Sequence, residues 1–241
     1  MTERYHIPVL LTESIKGLAV NPDGVYVDAT YGGGGHSAKI LEQLTGGYLI
    51  AFDQDCDVSP HLPVHDHFIF VHHNFRFLKN FLQYYQFRQI DGIIADLGVS
   101  SHDFDTAERG FSFRMDGVLD MRMNQSGSLT AQEVLNQYEE QDLIRIFRDY
   151  GELSNARSTA AVLVEARQKC PIETTGSLCA LLEPLVPRKA ASKYLAKVFQ
   201  AVRIEVNREM DALKTLLTDA AAVLKPGGRL VVISYHSLED R

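Results

Sequence analysis

Short apolar runs alternate with amphipathic segments along roughly the first 100 residues of the chain. Strands are predicted at residues 25–29, 48–52, 68–71 and 90–95, and helices at residues 36–44 and 75–85. Strands that are separated by helices form a parallel sheet with helices on both faces. The pattern therefore predicts an α/β fold for this part of the chain.

The strand pattern stops near residue 101, and only helical segments follow until about residue 192. Thr130 and Glu133 have the spacing of a capping box, which predicts the start of a helix. Further helices are predicted at residues 140–150 and 158–169, and another is capped by Thr175 or Ser177. One long helical pattern over residues 190–224 leads to KPGG, which ends it, and to a fifth strand at residues 229–234.

These changes of pattern predict two domains. Residues 101–199 are expected to form an inserted all-helical domain, because they contain no convincing strand. Residues 1–100 and 200–241 are expected to form one discontinuous α/β domain.

Composition places the chain among soluble cytoplasmic proteins. The hydrophobic fraction of 45% is ordinary for a globular protein, and no apolar run approaches the roughly 20 residues that span a bilayer. The N-terminal segment lacks the long apolar core of a signal peptide. The three cysteines have no metal-ligand spacing, as expected in a reducing compartment.

Charge leaves one question open. A net charge of −7 argues against a protein that coats nucleic acid without selectivity. Lys189, Lys193 and Lys197 are nevertheless four residues apart, so on a helix they share one face. Such a stripe is either a solvated helix surface or a phosphate-binding surface, and the sequence does not decide between them.

Candidate chemistry lies where the strands end. Asp28, Asp53 and Asp96 follow three predicted strands, whose carboxyl ends meet at the ligand-binding edge of an open sheet. The loop DATYGGGGHS at residues 28–37 lets the backbone approach a ligand and opens a helix with free N–H groups. Asp53 stands about 20 residues further on, where a carboxylate meets ribose hydroxyls in nucleotide-binding sheets.

Three interpretations of the glycine loop compete. Gly33, Gly35 and Ala38 satisfy G-x-G-x-x-A, which is typical of dinucleotide binding and of an NAD(P)-dependent oxidoreductase. Asp28 at the strand end would repel a pyrophosphate, but it suits a ligand with an ammonium and a sulfonium group. A turn that merely packs helix on strand would need fewer glycines. Together, the loop and the acidic strand ends favour S-adenosylmethionine.

Longer blocks of the sequence strongly resemble the bacterial 16S ribosomal RNA cytosine-N4 methyltransferase family. The blocks are HIPVLLTES (6–14), DATYGGGGHS (28–37), DLGVSS (96–101), RGFSFRMDGVLDMRM (109–123), FQAVRIEVNREM (199–210) and PGGRLVVISYHSLEDR (226–241). The resemblance implies a Rossmann-like class I methyltransferase sheet with an inserted helical substrate-recognition domain. It also implies methylation of the exocyclic N4 of a cytidine at the decoding centre, with 16S rRNA in the small ribosomal subunit as substrate.

The same resemblance implies roles for single residues. Gly34, Gly35 and His36 would contact S-adenosylmethionine from the loop. Asp53 would bind its ribose, and Phe75 would lie near its adenine. Relatives continue past HSLEDR and supply further strands, so the α/β domain is expected to lack its C-terminal part here.

Two further acids are candidates in the resembling blocks. Asp96 is expected at the methionine end of the cofactor, where it either accepts a hydrogen bond from the cytosine amine as the catalytic residue or contacts the cofactor only. Many relatives read DLGVSSPQLD, with a glutamine that contacts the cofactor. Asp103 stands at that position here and is the corresponding candidate, and His102 replaces the proline.

Other polar and aromatic residues have two interpretations each. Arg109, Phe111, Phe113 and Arg114 suit a lip for a flipped base, or else the phenylalanines belong to the core. Asp120 and Arg122 are predicted to pair, and His236 is either a substrate contact or a packed loop residue. The histidines at residues 61, 65, 67, 72 and 73 straddle a loop and a strand, so no metal site is expected.

An RNA methyltransferase is therefore the leading hypothesis. The alternatives are an NAD(P)-dependent oxidoreductase and a ribosome-assembly factor without catalytic activity. DNA cytosine methylation is disfavoured, since nothing resembles a D-P-P-Y or S-P-P-Y block after the fourth strand. The expected partner is 16S rRNA in the small subunit, without membrane or metal, and a homodimer is left open.

Overall fold

The computed structural model describes residues 8–241, except for the side chains of residues 59–61 and 101–102. His6 and Ile7 of the first resembling block, and the side chains of His61 and His102, thus lie outside the described residues. The strands are Val25–Asp28 (β1), Tyr48–Asp53 (β2), Phe68–His72 (β3), Ile90–Asp96 (β4) and Leu224–Ile233 (β5). They pair in parallel in the order β3-β2-β1-β4-β5, which confirms the predicted α/β class.

Helices connect these strands and fill the central part of the chain. They are Leu11–Leu18 (α1), Gly35–Leu41 (α2), Leu78–Tyr84 (α3), Ser101–Asp105 (α4), Ala131–Gln137 (α5), Glu140–Asp149 (α6), Ala156–Arg167 (α7), Thr175–Leu182 (α8), Ala191–Asn207 (α9), Glu209–Val223 (α10) and Ser237–Asp240 (α11). Within the described residues, no helix is both long enough and apolar enough to cross a membrane.

Both faces of the sheet are covered, because neighbouring strand residues point to opposite sides. On β1, Val27 belongs to one buried cluster with residues of α3 and α10, whereas Tyr26 belongs to the other cluster with residues of α1 and α2. Both side chains are buried. Burial on both faces explains why the strands are continuous apolar runs in the sequence.

The chain divides into two compact units. The first consists of residues 1–100 and 210–241, and the second of residues 101–209. The sequence placed the second boundary between residues 199 and 200, which falls inside α9. The first unit holds the sheet, and the second contains α4–α9.

The single long helix predicted over residues 190–224 is wrong, because α9 and α10 are separate. Arg208 between them has a left-handed backbone with φ of 51°. The side chain of Asn207 donates to the carbonyl of Met121 at 2.8 Å and accepts from the N–H of Met123 at 2.8 Å. These bonds to a distant loop hold the end of α9 in place.

The two capping signals predicted in the second unit had different outcomes. Thr130 and Glu133 form the predicted capping box of α5 in both directions. The cap of α8, however, is Thr174, with Ser177 as the third helical residue of its box. The predicted Thr175 and Ser177 caps are therefore wrong by one and three positions, because the hydroxyl of Thr175 is taken by the carbonyl of Met115 instead.

Candidate cofactor-binding and catalytic site

Three acidic residues end adjacent strands at the carboxyl edge of the sheet. Asp28, the last residue of β1, is in register with Ala51 on β2 and Ile94 on β4. β2 and β4, which flank β1, continue beyond these partners to Asp53 and Asp96. Asp28 is therefore recessed between its neighbours, and the glycine loop continues the chain from this recess.

Asp28 connects β1 to the loop and to α2. Its carboxylate accepts hydrogen bonds from the Ser37 hydroxyl at 2.7 Å and from the Thr30 N–H at 3.1 Å. The residue is only 1% exposed, and this burial raises the pKa of the Asp28 carboxyl. The two hydrogen bonds and the nearby His36 oppose the increase. The buried Asp28 thus holds the start of the loop and α2 together through hydrogen bonds and is not itself exposed at the loop surface.

Some glycines of the loop pack closely against other residues of the protein, and one lies in open space. Gly32 and Gly34 have left-handed backbones, with φ of 49° and 74°. A Cβ at Gly34 would lie 2.6 Å from Tyr31 Oη, and one at Gly35 would collide with the ring of Pro8. A Cβ at Gly32 would meet nothing within 4 Å. The loop is tight against its own chain at Gly34 and Gly35 and open at Gly32.

His36 occupies the second position of α2 and is 5% exposed. Its Nε2 has no hydrogen-bond partner among the described residues. The ring lies close enough to Asp28 and Asp96 to lower the pKa of both carboxyls. Because a buried polar atom without a partner is costly, His36 fits a site that an additional polar ligand completes.

Asp53 ends β2, and Phe75 follows β3. The Asp53 carboxylate accepts from the N–H groups of Gly32 at 2.8 Å and Asp55 at 2.9 Å, so it fixes the open part of the loop. Phe75 begins a 3-10 helix just after β3 and is half-buried. Asn74 caps this helix and donates to the side chain of Gln54 at 2.9 Å.

Asp96 lies at the end of β4. Its N–H donates to Thr30 Oγ1 at 2.7 Å, and its Oδ1 accepts a hydrogen bond from the Tyr235 hydroxyl at 2.8 Å. Burial raises the pKa of the Asp96 carboxyl, whereas the Tyr235 hydrogen bond and the nearby His36 lower it. Asp96 thus contacts the segments that follow β1 and β5, and it can accept a further hydrogen bond at this edge.

Asp103 has a different environment from the other predicted site residues. It lies on α4 in the second unit and is 4% exposed. Its Oδ1 is 3.1 Å from the Arg109 guanidinium, which is also buried. A cofactor contact by Asp103 stays a prediction, and the contact that the structure contains is this ion pair.

The predicted aromatic and basic lip is largely part of the core. Arg109 and Phe111 are buried, and the ring of Phe113 packs edge-to-face on Phe199 at 5.6 Å. The lip interpretation is therefore wrong for Arg109 and Phe111, because both side chains are used inside the second unit. The prediction that Asp120 and Arg122 pair is confirmed.

Sequence reasoning missed Tyr235 and the contacts of Asn74 with Gln54. A signal for Tyr235 was present, because it lies just after the end of β5, Asp96 lies at the end of β4, and these two strands are neighbours. His236, predicted as a substrate contact or a packed residue, is the N-cap of α11. The side chains of His65, His67, His72 and His73 are described, and none of these four belongs to a group with metal-ligating geometry.

Comparison with known proteins assigns the family. The sequence model of the MraW methylase family matches residues 3–241. The chain belongs to the MraW methylase family. A protein of Bacteroides thetaiotaomicron named ribosomal RNA small subunit methyltransferase H is 57% identical over 238 residues, 98% of this chain and 78% of that protein. One of the same name from Flavobacterium johnsoniae is 54% identical over all of this chain and 80% of its own length.

Among solved structures, one similar chain is a putative methyltransferase from an antibiotic biosynthesis pathway of Anabaena variabilis. It is 13% identical, with a TM-score of 0.31, and covers 92% of this chain and 95% of its own. Membership of a methylase family, in contrast, leaves no support for the oxidoreductase alternative.

The left-handed glycine supplies a first test of the site. Gly34→Ala is expected to lower the stability of the protein by about 1–3 kcal/mol, because the backbone is left-handed and the new Cβ would press on Tyr31. Binding of S-adenosylmethionine should weaken at the same time, since the loop N–H groups would move. Thermal unfolding and titration calorimetry measure both effects.

Gly17→Ala is the matched control for this substitution. Gly17 lies inside α1, and a Cβ there would make an ordinary 3.4 Å contact with Val231. Alanine is favoured over glycine in helices, so this variant should unfold at the same temperature or higher. Equal unfolding temperatures for Gly34→Ala and the wild-type protein would contradict the proposed loop geometry.

Proposed function

We propose that this chain transfers a methyl group from S-adenosylmethionine to the exocyclic N4 of a cytidine in 16S rRNA of the small ribosomal subunit, at the decoding centre. The observation that carries the proposal is Asp96 beside the glycine loop, at the end of a central strand, in a chain of the MraW methylase family. Relatives more than 50% identical are named for small-subunit ribosomal RNA methylation, which supports the substrate.

The cofactor fits the residues at this edge. The buried Nε2 of His36 lacks a partner among the described residues, and the first turn of α2 supplies N–H groups for a carboxylate. In our proposal Gly34, Gly35 and His36 hold the methionine part. Asp53 binds the ribose and Phe75 lies near the adenine, in keeping with their places after β2 and β3.

The chemistry requires alignment and a hydrogen-bond acceptor. When bound, S-adenosylmethionine would supply a methyl group on a sulfonium: a bond forms from the cytosine amine nitrogen to the methyl carbon, the methyl–sulfur bond breaks to leave the neutral thioether S-adenosylhomocysteine, and the amine releases one proton. The lone pair of the cytosine amine is delocalised into the ring, so a hydrogen bond from the amine to Asp96 localises it on nitrogen. The carboxylate needs no unusual basicity, because the proton becomes acidic only as the new bond forms.

We propose that the second unit recognises the RNA. Lys189 lies in a short 3-10 helix just before α9 and Lys193 in the first turn of α9, and both are exposed. Lys197 on the next turn donates to the Glu152 carbonyl at 3.3 Å. These cations suit phosphate contacts better than the buried Arg109 does. A small ribosomal subunit as substrate also supports a cytoplasmic location.

Methyl transfer from tritiated S-adenosylmethionine tests the function. Small ribosomal subunits that lack N4-methylation are incubated with the protein, with free 16S rRNA in parallel, and the nucleosides are separated by chromatography. The label is expected in N4-methylcytidine, with subunits preferred over free RNA. Subunits that already carry the modification are the control and should take up no label. Label in another nucleoside, or none despite cofactor binding, would contradict the proposal.

A further inference from the structure

Tyr235 brings a phenol to the proposed catalytic carboxylate. It lies two residues after Ile233 of β5, which is in register with Asp96 on β4, so Tyr235 and Asp96 are at the same edge of the sheet. The Tyr235 hydroxyl donates to Asp96 Oδ1 at 2.8 Å. Neither residue belongs to the glycine loop, and the Tyr235 side chain is 55% exposed. Tyr235 is thus largely exposed, yet its hydroxyl donates to a carboxylate at the ligand-binding edge, which points to a function for this hydrogen bond.

The tyrosine is held on two sides. Its backbone N–H donates to Glu239 Oε2 at 2.8 Å, and the same oxygen accepts from the N–H of His236 at 3.4 Å. On the other side is Gly98, whose backbone is left-handed with φ of 99°. A Cβ at Gly98 would lie 3.6 Å from the tyrosine ring, so the turn after β4 passes along the ring. Tyr235 is therefore oriented by its surroundings as well as by Asp96.

The hydrogen bond leaves half of the carboxylate available. Tyr235 occupies Oδ1, and the Asp96 N–H is bound to Thr30. No other described residue donates to Oδ2, so this oxygen can accept from an external N–H group. Because the phenol restrains rotation of the carboxylate, the direction of the remaining acceptor is fixed before a substrate arrives.

We propose that Tyr235 is a positioning residue for methyl transfer, which orients Asp96 so that Oδ2 accepts a hydrogen bond from the cytosine amine. This inference rests on the proposed function, because it assigns Asp96 to the amine. Tyr235 acts through Asp96, and its exposed ring forms part of the wall beside the acceptor.

The charges around Asp96 determine the expected pH dependence. The titratable groups that face it are Tyr235 after β5, His36 on α2, Glu239 on α11 and Asp28 on β1. Burial raises the pKa of Asp96, Glu239 raises it further, and the Tyr235 hydrogen bond and His36 lower it. Burial and the adjacent Asp96 raise the pKa of the Tyr235 phenol well above its usual value, so it remains a donor.

Removing the hydroxyl should therefore move the acidic limb of the reaction. In Tyr235→Phe the stabilising hydrogen bond is lost, so the pKa of Asp96 rises and the carboxyl stays protonated to higher pH. Activity that needs the ionised form is then lost at a higher pH than in the wild-type protein. We expect the acidic limb of kcat to move up by about one pH unit, so that the loss approaches about 10-fold on that limb and shrinks toward alkaline pH, with little change in KM for RNA.

The experiment compares Tyr235→Phe with the wild-type protein over a range of pH, using undermethylated small subunits. Tyr84→Phe is the matched control, because Tyr84 at the end of α3 is 76% exposed and lies outside the site. In parallel, NMR of isotope-labelled aspartate carboxyls follows the titration of Asp96, which is assigned with Asp96→Asn. The NMR readout needs neither cofactor nor RNA.

Higher apparent pKa values for Asp96 and for the acidic limb in Tyr235→Phe are the expected result. An unchanged Asp96 titration would overturn the inference, as would a loss of activity that is equal at every pH and accompanied by a lower unfolding temperature. Failure of the proposed function looks different, since the wild-type protein itself would then form no N4-methylcytidine. In that case an altered Asp96 titration would still support the Tyr235–Asp96 contact, but the role of Tyr235 in methyl transfer would be refuted.

Discussion

Asp96→Asn is expected to lower kcat for methyl transfer about 10²–10³-fold, the typical cost of removing one preorganised hydrogen-bonding group from the reacting atoms. The substitution keeps the size of the side chain but removes the negative charge. Asparagine also presents an NH₂ group that repels the cytosine amine when it turns toward it. The measurement is initial rate with saturating S-adenosylmethionine and undermethylated small subunits.

The design separates a catalytic role of Asp96 from a role in binding alone. A residue that only contacts the cofactor would, on substitution, raise its dissociation constant and leave the rate at saturation unchanged. That result would contradict the assignment of Asp96 to the amine. Asp66→Asn is the matched control, because Asp66 is an exposed aspartate of the first unit, and it should have wild-type kinetics.

Arg109→Met should destabilise the second unit by about 3–5 kcal/mol, because it leaves the Asp103 carboxylate buried without its guanidinium partner. The side chains of Arg109 and Asp103 are 7% and 6% exposed, so water compensates little for the loss. Arg109 also donates to the carbonyl of Arg122 at 3.0 Å, which would lose this bond. Hydrogen exchange resolved by peptide measures the stability of the second unit separately from the first.

Two further variants give this prediction its controls. Arg148 and Asp149 form an exposed pair, so Arg148→Met should leave exchange in the second unit nearly unchanged. Adding Asp103→Asn to Arg109→Met should restore part of the stability, since the buried charge is then gone. If Asp103→Asn alone weakened cofactor binding and left stability unchanged, Asp103 would be a cofactor ligand and not a structural partner of Arg109.

Much of the fold could be predicted because its signals are local. The strands β1 to β4 are short and mainly apolar runs, and burial on both faces imposes that pattern directly on the sequence. The capping box of Thr130 and Glu133 lies within one helical turn. The acids Asp28, Asp53 and Asp96 were found for a similar reason, since each immediately follows such a run.

The break between α9 and α10 could not be predicted from the same kind of signal. The helical pattern continues across Arg208, and what ends α9 is the bonding of Asn207 to the backbone of Met121 and Met123. These residues are far apart in the chain. Only the packing of the second unit brings them together.

The sequence by itself determined the α/β class, the acidic residues at three strand ends, and the motifs that connect the chain to a methylase family. The tertiary structure decided the partners of individual side chains: Gly34 against Tyr31, Asp103 with Arg109, and Tyr235 with Asp96. The physical reason is the separation along the chain over which each interaction acts. Periodicity and capping act over a few residues, whereas the Tyr235–Asp96 hydrogen bond joins residues 139 positions apart, which meet only because β4 and β5 pair in the folded sheet.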